Sequence, residues 1–310
     1  MISNLKFGVK LVAIALVTIL WLFAAGGCGS SRGVQKGPGA DENLARLNRA
    51  ARIAYDNGQL EQAANLYRQA LDRAYLRDDR QAIVDAHYNL AVCLLGLRSY
   101  DQALARVYDA QRELARADQS IPGDILLLEA TILFRTAEPD EAWEITDRIL
   151  SASERSTAAV ANKAHYLRGL ISDQRGDTAQ LGREFNALEK SAGPGVRADR
   201  EELAGRLAVS EGHWEAAIEA FDRTVRLRRE KLDYVEMAQA LALAADACRR
   251  AGNYSAAATR YFRAGRSAVQ QNNNQDALKW LDNAVRMAGQ AGDEPLKQEV
   301  HAYLKSIQSP

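Results

Sequence analysis

Three cysteines and four histidines are the residues best equipped for chemistry in this chain of 310. His87, His165, His213 and His301 are scattered, and none stands near a Cys, a second His or a carboxylate at metal-ligand spacing, so no metal site is expected. Cys93 and Cys248 fall at interior positions of helical patterns and read as small buried hydrophobes, with no disulfide expected between them. Paired carboxylates such as Glu201-Glu202 read as a solvated helix face. No phosphate-binding loop, dinucleotide fingerprint, serine-hydrolase elbow or calcium-binding loop occurs, and Gly193-Pro194-Gly195 reads as a turn rather than a phosphate cradle. These readings point away from an enzyme and away from a cofactor. Forty basic residues balance forty acidic ones, and that absence of a basic excess argues against nucleic acid as a partner.

The elements that would position any site are helical. Residues 44–71, LARLNRAARIAYDNGQLEQAANLYRQAL, carry Leu47, Ala50, Ala51 and Ala54 on one face of a first helix, and Leu60, Ala63, Tyr67, Ala70 and Leu71 on one face of a second. Alanines sit where two helices must approach closely, Tyr67 fills the gap beside them, and Gly58 supplies the left-handed residue that ends the first helix. The pattern returns after about 36 to 40 residues. It recurs at Tyr100/Ala103/Val107/Ala110, Gly212/Trp214/Ala217/Phe221/Thr224 and Gly252/Tyr254/Ala257/Tyr261/Ala264. Weaker versions stand at Ala142/Thr146/Ile149 and Gly176/Leu181/Phe185/Leu188, and Leu281/Ala284/Val285/Ala288 with Gly292 begins a further unit. Strand signals are nearly absent. Fourteen helices are expected, the first at residues 42–56 and the last at 294–307. Ser99 with Gln102 is expected to form a capping box, and Pro122 and Pro139 to occupy first-turn positions.

The unit Gly58-Gln59-Leu60-x-x-Ala63-x-x-x-Tyr67-x-x-Ala70 resembles the second half of a tetratricopeptide repeat. The resemblance covers roughly residues 41–307 and implies an all-α fold for residues 41–310: a right-handed α-solenoid of about seven helical hairpins. It also implies that the first helix of each hairpin lines a partner-binding groove. The groove-facing candidates are Asn48, Arg52 and Tyr55; Tyr88 and Val92; Leu127 and Thr131; Tyr166; Glu202 and Arg206; Asp246 and Arg249; and Asp282 and Arg286. Tyr88 and Tyr166 recur at one position and imply an aromatic-lined central stretch. The carboxylate clamp of some tetratricopeptide domains is not implied, because Asp124 and Leu128 stand where its third-repeat basic pair belongs.

The N-terminus has the layout of a secretory signal: Lys6 and Lys10, then the apolar run of residues 11–25, then Gly26 and Gly27. Cys28 directly after these small residues resembles the lipidation site of a bacterial lipoprotein, although Ala25 replaces the leucine usual three positions earlier. The resemblance implies cleavage of residues 1–27 and acylation of Cys28. An uncleaved membrane anchor and plain secretion are the competing readings. Gly29, in place of aspartate, implies outer-membrane placement facing the periplasm in a Gram-negative source. Residues 28–40 then form a flexible Gly/Ser/Pro tether. Together these features predict a membrane-tethered scaffold binding protein or peptide partners in the bacterial cell envelope, with assembly of an envelope machine as its expected setting. A self-associating structural protein, or an enzyme with an unrecognised site, are the alternatives.

Overall fold

The computed structural model describes residues 41–152, 157–188 and 193–308. The leader, Cys28 and the tether lie outside the described residues. The described chain forms fourteen helices paired as seven antiparallel hairpins, and no strand occurs among the described residues. The hairpins are α1 (Glu42–Asp56) with α2 (Leu60–Leu76), α3 (Arg80–Gly96) with α4 (Tyr100–Ala115), and α5 (Gly123–Arg135) with α6 (Pro139–Ser151). Next come α7 (Ala158–Arg175) with α8 (Thr178–Ala187), and α9 (Pro194–Ser210) with α10 (Trp214–Glu230). The last are α11 (Tyr234–Arg250) with α12 (Tyr254–Gln270), and α13 (Asn274–Ala291) with α14 (Glu294–Gln308).

The connectors explain the repeat. Most helices are joined by a three-residue turn whose middle residue is left-handed: Gly58, Asp78, Arg98, Ala137, Gly212, Leu232, Gly252 and Asn272. At one such turn Gly252 N–H donates to Arg249 O at 3.1 Å and Asn253 N–H to Cys248 O at 2.9 Å, the bond pattern of a Schellman stop. The Asn253 side chain then accepts from Ala256 N–H at 3.1 Å and opens the next helix. Asp79, Asp177, Asp233, Asn273 and Asp293 cap in the same way.

Four sequence expectations need correction. Ser99 makes no capping bond. Its ψ of 63° holds the backbone in the tight turn, where the longer Asx side chains reach the helix but a hydroxyl does not, whereas Thr157 caps from an extended ψ of 153°. Pro122 is the residue just before α5, not in its first turn. Pro194 is not in a loop: it opens α9, three residues earlier than expected, at a position where a missing N–H costs nothing. Glu202 is not on a solvated face, being only 6% exposed.

Packing follows the small-residue pattern. Ala51, Ala63, Ala70, Ala103, Ala110, Ala217, Ala257 and Ala264 are completely buried, and Tyr67, Val107, Phe221 and Tyr261 fill the space between them. Thr146 and Thr224, buried at comparable positions, satisfy their hydroxyls on Trp143 O and Ala220 O. The apolar core is thick at both ends, around α1 to α5 and around α11 to α14. It thins to Leu181, Leu188 and Leu203 between α8 and α9. Glu42 onward forms a single compact unit. Within it Arg98, in the α3–α4 turn, reaches α13 and donates to Gln275 Oε1 at 3.0 Å and Asp276 Oδ2 at 2.5 Å.

Candidate functional site: the first-helix face

Every predicted groove residue lies on an odd-numbered helix, the first of its hairpin. The structure gathers four of them, Arg206, Asp246, Arg249 and Arg286, around one groove of about 730 Å³ over α9, α11 and α13. Gln239, Tyr254, Tyr261, Lys279, Trp280 and Met287 also line it. Its size falls within the range typical of ligand pockets. Tyr88 lines a separate cavity of about 470 Å³, together with Gln81, Asp85 and Asp124, where α3 meets α5. Asn48 is half-buried, while Arg52 and Tyr55 are exposed on α1. Val92 and Leu127 are partly spent on packing against the core, and Thr131 donates to Leu127 O at 2.7 Å. Asp282 is exposed on α13 beside Arg286.

Tyr166, Glu202 and Arg206 meet, but not as an open binding surface. Tyr166 Oη donates to Glu202 Oε2 at 2.8 Å. Arg206 forks onto Glu202 Oε1, at 3.0 and 2.8 Å, and reaches Asp173 Oδ2 at 2.7 Å. Burial opposes ionisation of Glu202, yet Arg206, the Tyr166 hydroxyl and Arg228 outweigh it and hold this carboxyl below the usual glutamate range. The Tyr166 phenol moves the other way, pushed well up by burial and by the Glu202 charge.

A second knot lies directly behind this one and was not legible in the sequence. Arg228, from α10, is 2% exposed, and Asp199, from α9, is fully buried. Arg228 Nη2 lies 2.6 Å from Asp199 Oδ1 and 2.8 Å from Glu236 Oε2, and Lys163 Nζ lies 2.7 Å from Asp199 Oδ2. Glu236 is raised, chiefly by burial. In the hairpin before it, buried Glu184 accepts from Arg168 Nε at 3.0 Å and meets His165 Nδ1 at 2.7 Å, while Arg168 stacks 3.9 Å from the Trp143 ring centroid. The signal available in the sequence was weak: charged residues at heptad-interior positions of α9 and α10, where apolar ones belong.

Cys93 and Cys248 are free and buried, and burial pushes the Cys93 thiol up to about 11, so neither is activated as a nucleophile. His87, 1% exposed, is hydrogen-bonded to Tyr75 Oη at 3.0 Å, and burial lowers its pKa. No cluster of three metal-ligating side chains occurs among the described residues.

Seven stacked hairpins with a continuous face of first helices define an α-solenoid, a fold class whose concave surfaces serve as binding sites for other proteins. Residues 48–121 and 203–265 match the family model described as tetratricopeptide repeat. These two stretches carry tetratricopeptide repeats. No curated protein matches its sequence. Among solved structures it is similar to the apo form of the quorum sensor NprR from B. thuringiensis, at 11% identity and a TM-score of 0.58 over 87% of this chain and 83% of that one. It is also similar to a Rap protein complexed with Competence and Sporulation Factor, at 13% identity and a TM-score of 0.56 over 86% and 88% of the two chains. A third is PilW, a widely conserved type IV pilus biogenesis factor, at 17% identity and a TM-score of 0.50 over 78% and 100%. At these identities the likeness is one of fold.

Proposed function

We propose that this protein is a lipid-anchored scaffold of the bacterial cell envelope, which holds a segment of a partner protein in its first-helix groove. The groove over α9, α11 and α13 is the observation that carries the binding half of this reading: it is open, it is lined by both aromatic and charged side chains, and four of its residues come from the face predicted to bind. The anchoring half rests on the sequence around Cys28. None of the described helices is long and apolar enough to cross a membrane. Two or more acyl chains hold a protein on a bilayer stably, whereas one is marginal. The likeness in fold to PilW, named as a type IV pilus biogenesis factor, supports assembly of an envelope machine as the setting, and Gly29 after Cys28 supports a placement facing the periplasm.

Intact mass of the membrane-extracted protein, beside a Cys28→Ala variant, tests the anchor. The expected result is a mass lacking residues 1–27 and carrying acyl chains, both changes lost in the variant. A full-length, unacylated mass in both proteins would overturn the lipid anchor and leave the groove to be tested by itself.

A further inference from the structure

The two cavities of the first-helix face have opposite charge. The one at α3 and α5 is lined by Asp85 and Asp124 with no basic side chain. The one over α9, α11 and α13 is lined by four cationic side chains, Arg206, Arg249, Lys279 and Arg286, against the single carboxylate of Asp246. That carboxylate is already neutralised within the protein, by Arg249 at 2.6 Å and Arg250 at 2.8 Å. Arg206 is likewise spoken for by Glu202 and Asp173 and contributes only its field. The cations that remain available lie on α13. Lys279 is exposed and has no ion-pair partner among the described residues. Arg286 is hydrogen-bonded to Asn283, and its nearest carboxylate, Asp282, lies 3.9 Å away and is 76% exposed, a geometry that neutralises little. Beneath these two cations, Trp280 and Met287 form an apolar floor.

We propose that this groove takes an acidic segment of a partner protein, with its carboxylates on Lys279 and Arg286 and an apolar side chain seated on Trp280. The inference rests on the scaffold reading above and adds the chemistry of what is held and where. The acidic cavity at α3 and α5 repels the same segment, so the field along the face directs it to the C-terminal hairpins. A partner carboxylate meets Lys279 without breaking an ion pair of the free protein, and at Arg286 it displaces only the neutral Asn283 Oδ1 and the long contact to Asp282.

Matched acidic, neutral and basic dodecapeptides on one apolar framework, each fluorescently labelled, are titrated with the detergent-solubilised full chain and followed by anisotropy. The acidic peptide is expected to bind tightest and to weaken as salt is raised. Lys279→Glu combined with Arg286→Glu is expected to weaken it by roughly tenfold and to turn the preference towards the basic peptide. Such an inversion cannot come from unfolding, because the variant must be folded to bind the basic peptide. An acidic preference that survives the double reversal, or neutral and acidic peptides binding alike, would overturn the proposal and leave the scaffold reading standing. Binding of none of the three peptides would overturn both.

Discussion

Helices α11 to α13 and helices α7 to α9 solve one packing problem with different chemistry. In the first group, Ala240, Ala245, Ala257 and Ala264 let the backbones close in, and Tyr261, Phe262 and Leu281 fill what remains. The fit is tight: a Cβ added at Gly265 would stand 2.6 Å from Leu281 Cγ. In the second group α8 is only ten residues long and α7 packs past it onto α9. The space is held by buried carboxylates, Glu184, Asp199 and Glu202, each answered by arginine, lysine or histidine. Burying apolar surface is favourable in any direction, whereas a buried ion pair must regain its desolvation cost through geometry. The C-terminal group is therefore held by close packing alone, whereas the middle adds to its own close contact of Gly169 with Leu203 the geometry its ion pairs require.

The most severe way to break this comparison is to strand a buried charge. Arg228→Ala leaves Asp199 and Glu236 without their common partner and is expected to cost about 3–5 kcal/mol in urea unfolding. Replacing Asp199 and Arg228 together by Leu and Met should return most of that loss. A cost below about 1 kcal/mol for Arg228→Ala would show that the knot is not what holds α9 to α10.

Overpacking tests the other side. Gly265→Ala forces the extra carbon against Leu281 and is expected to cost about 1–3 kcal/mol, with hydrogen-exchange protection lost in α12 and α13 and kept in α7 to α9. Loss spread evenly over both groups would mean that they do not behave as separate units.

A smaller, sharper distinction is pH. Glu202 is held below the usual carboxylate range when folded, so its contribution is complete above the unfolded value and is lost as pH falls through the folded one. Glu236, raised by burial, runs in the opposite sense: its ionisation costs stability as pH rises through its folded value. Acidification is expected to weaken protection in α9 before α12, Glu202→Gln to flatten that response, and Glu236→Gln to steepen it. An acid response of α12 matching that of α9 would remove the distinction.

All fourteen helices were legible in the sequence because two independent signals agree. The apolar period places each helix, and the left-handed turn with its Asx cap ends one and starts the next, as at Gly252-Asn253. Where α9 begins was misjudged because glycine on both sides of Pro194 outweighed the proline's fitness for a first turn. The first-helix register came from the resemblance to tetratricopeptide repeats, and Arg206, Asp246, Arg249 and Arg286 from that set line one groove. What Glu202 does was not legible. Its i,i+4 pair with Arg206 reads the same on a solvated face as on a buried one, and Tyr166 and Arg228, which complete the burial, stand on other helices.

Arg98 gives the stack a mechanical property that its hairpins lack individually. A row of units touching only their neighbours loosens from its ends, each terminal unit peeling independently of the rest. The bridge from Arg98 to Asp276 fastens the second hairpin to the seventh across 178 positions of chain. The bridge is partly exposed and contributes at most about 1 kcal/mol, yet peeling α13 must also break this tie to the α3–α4 turn.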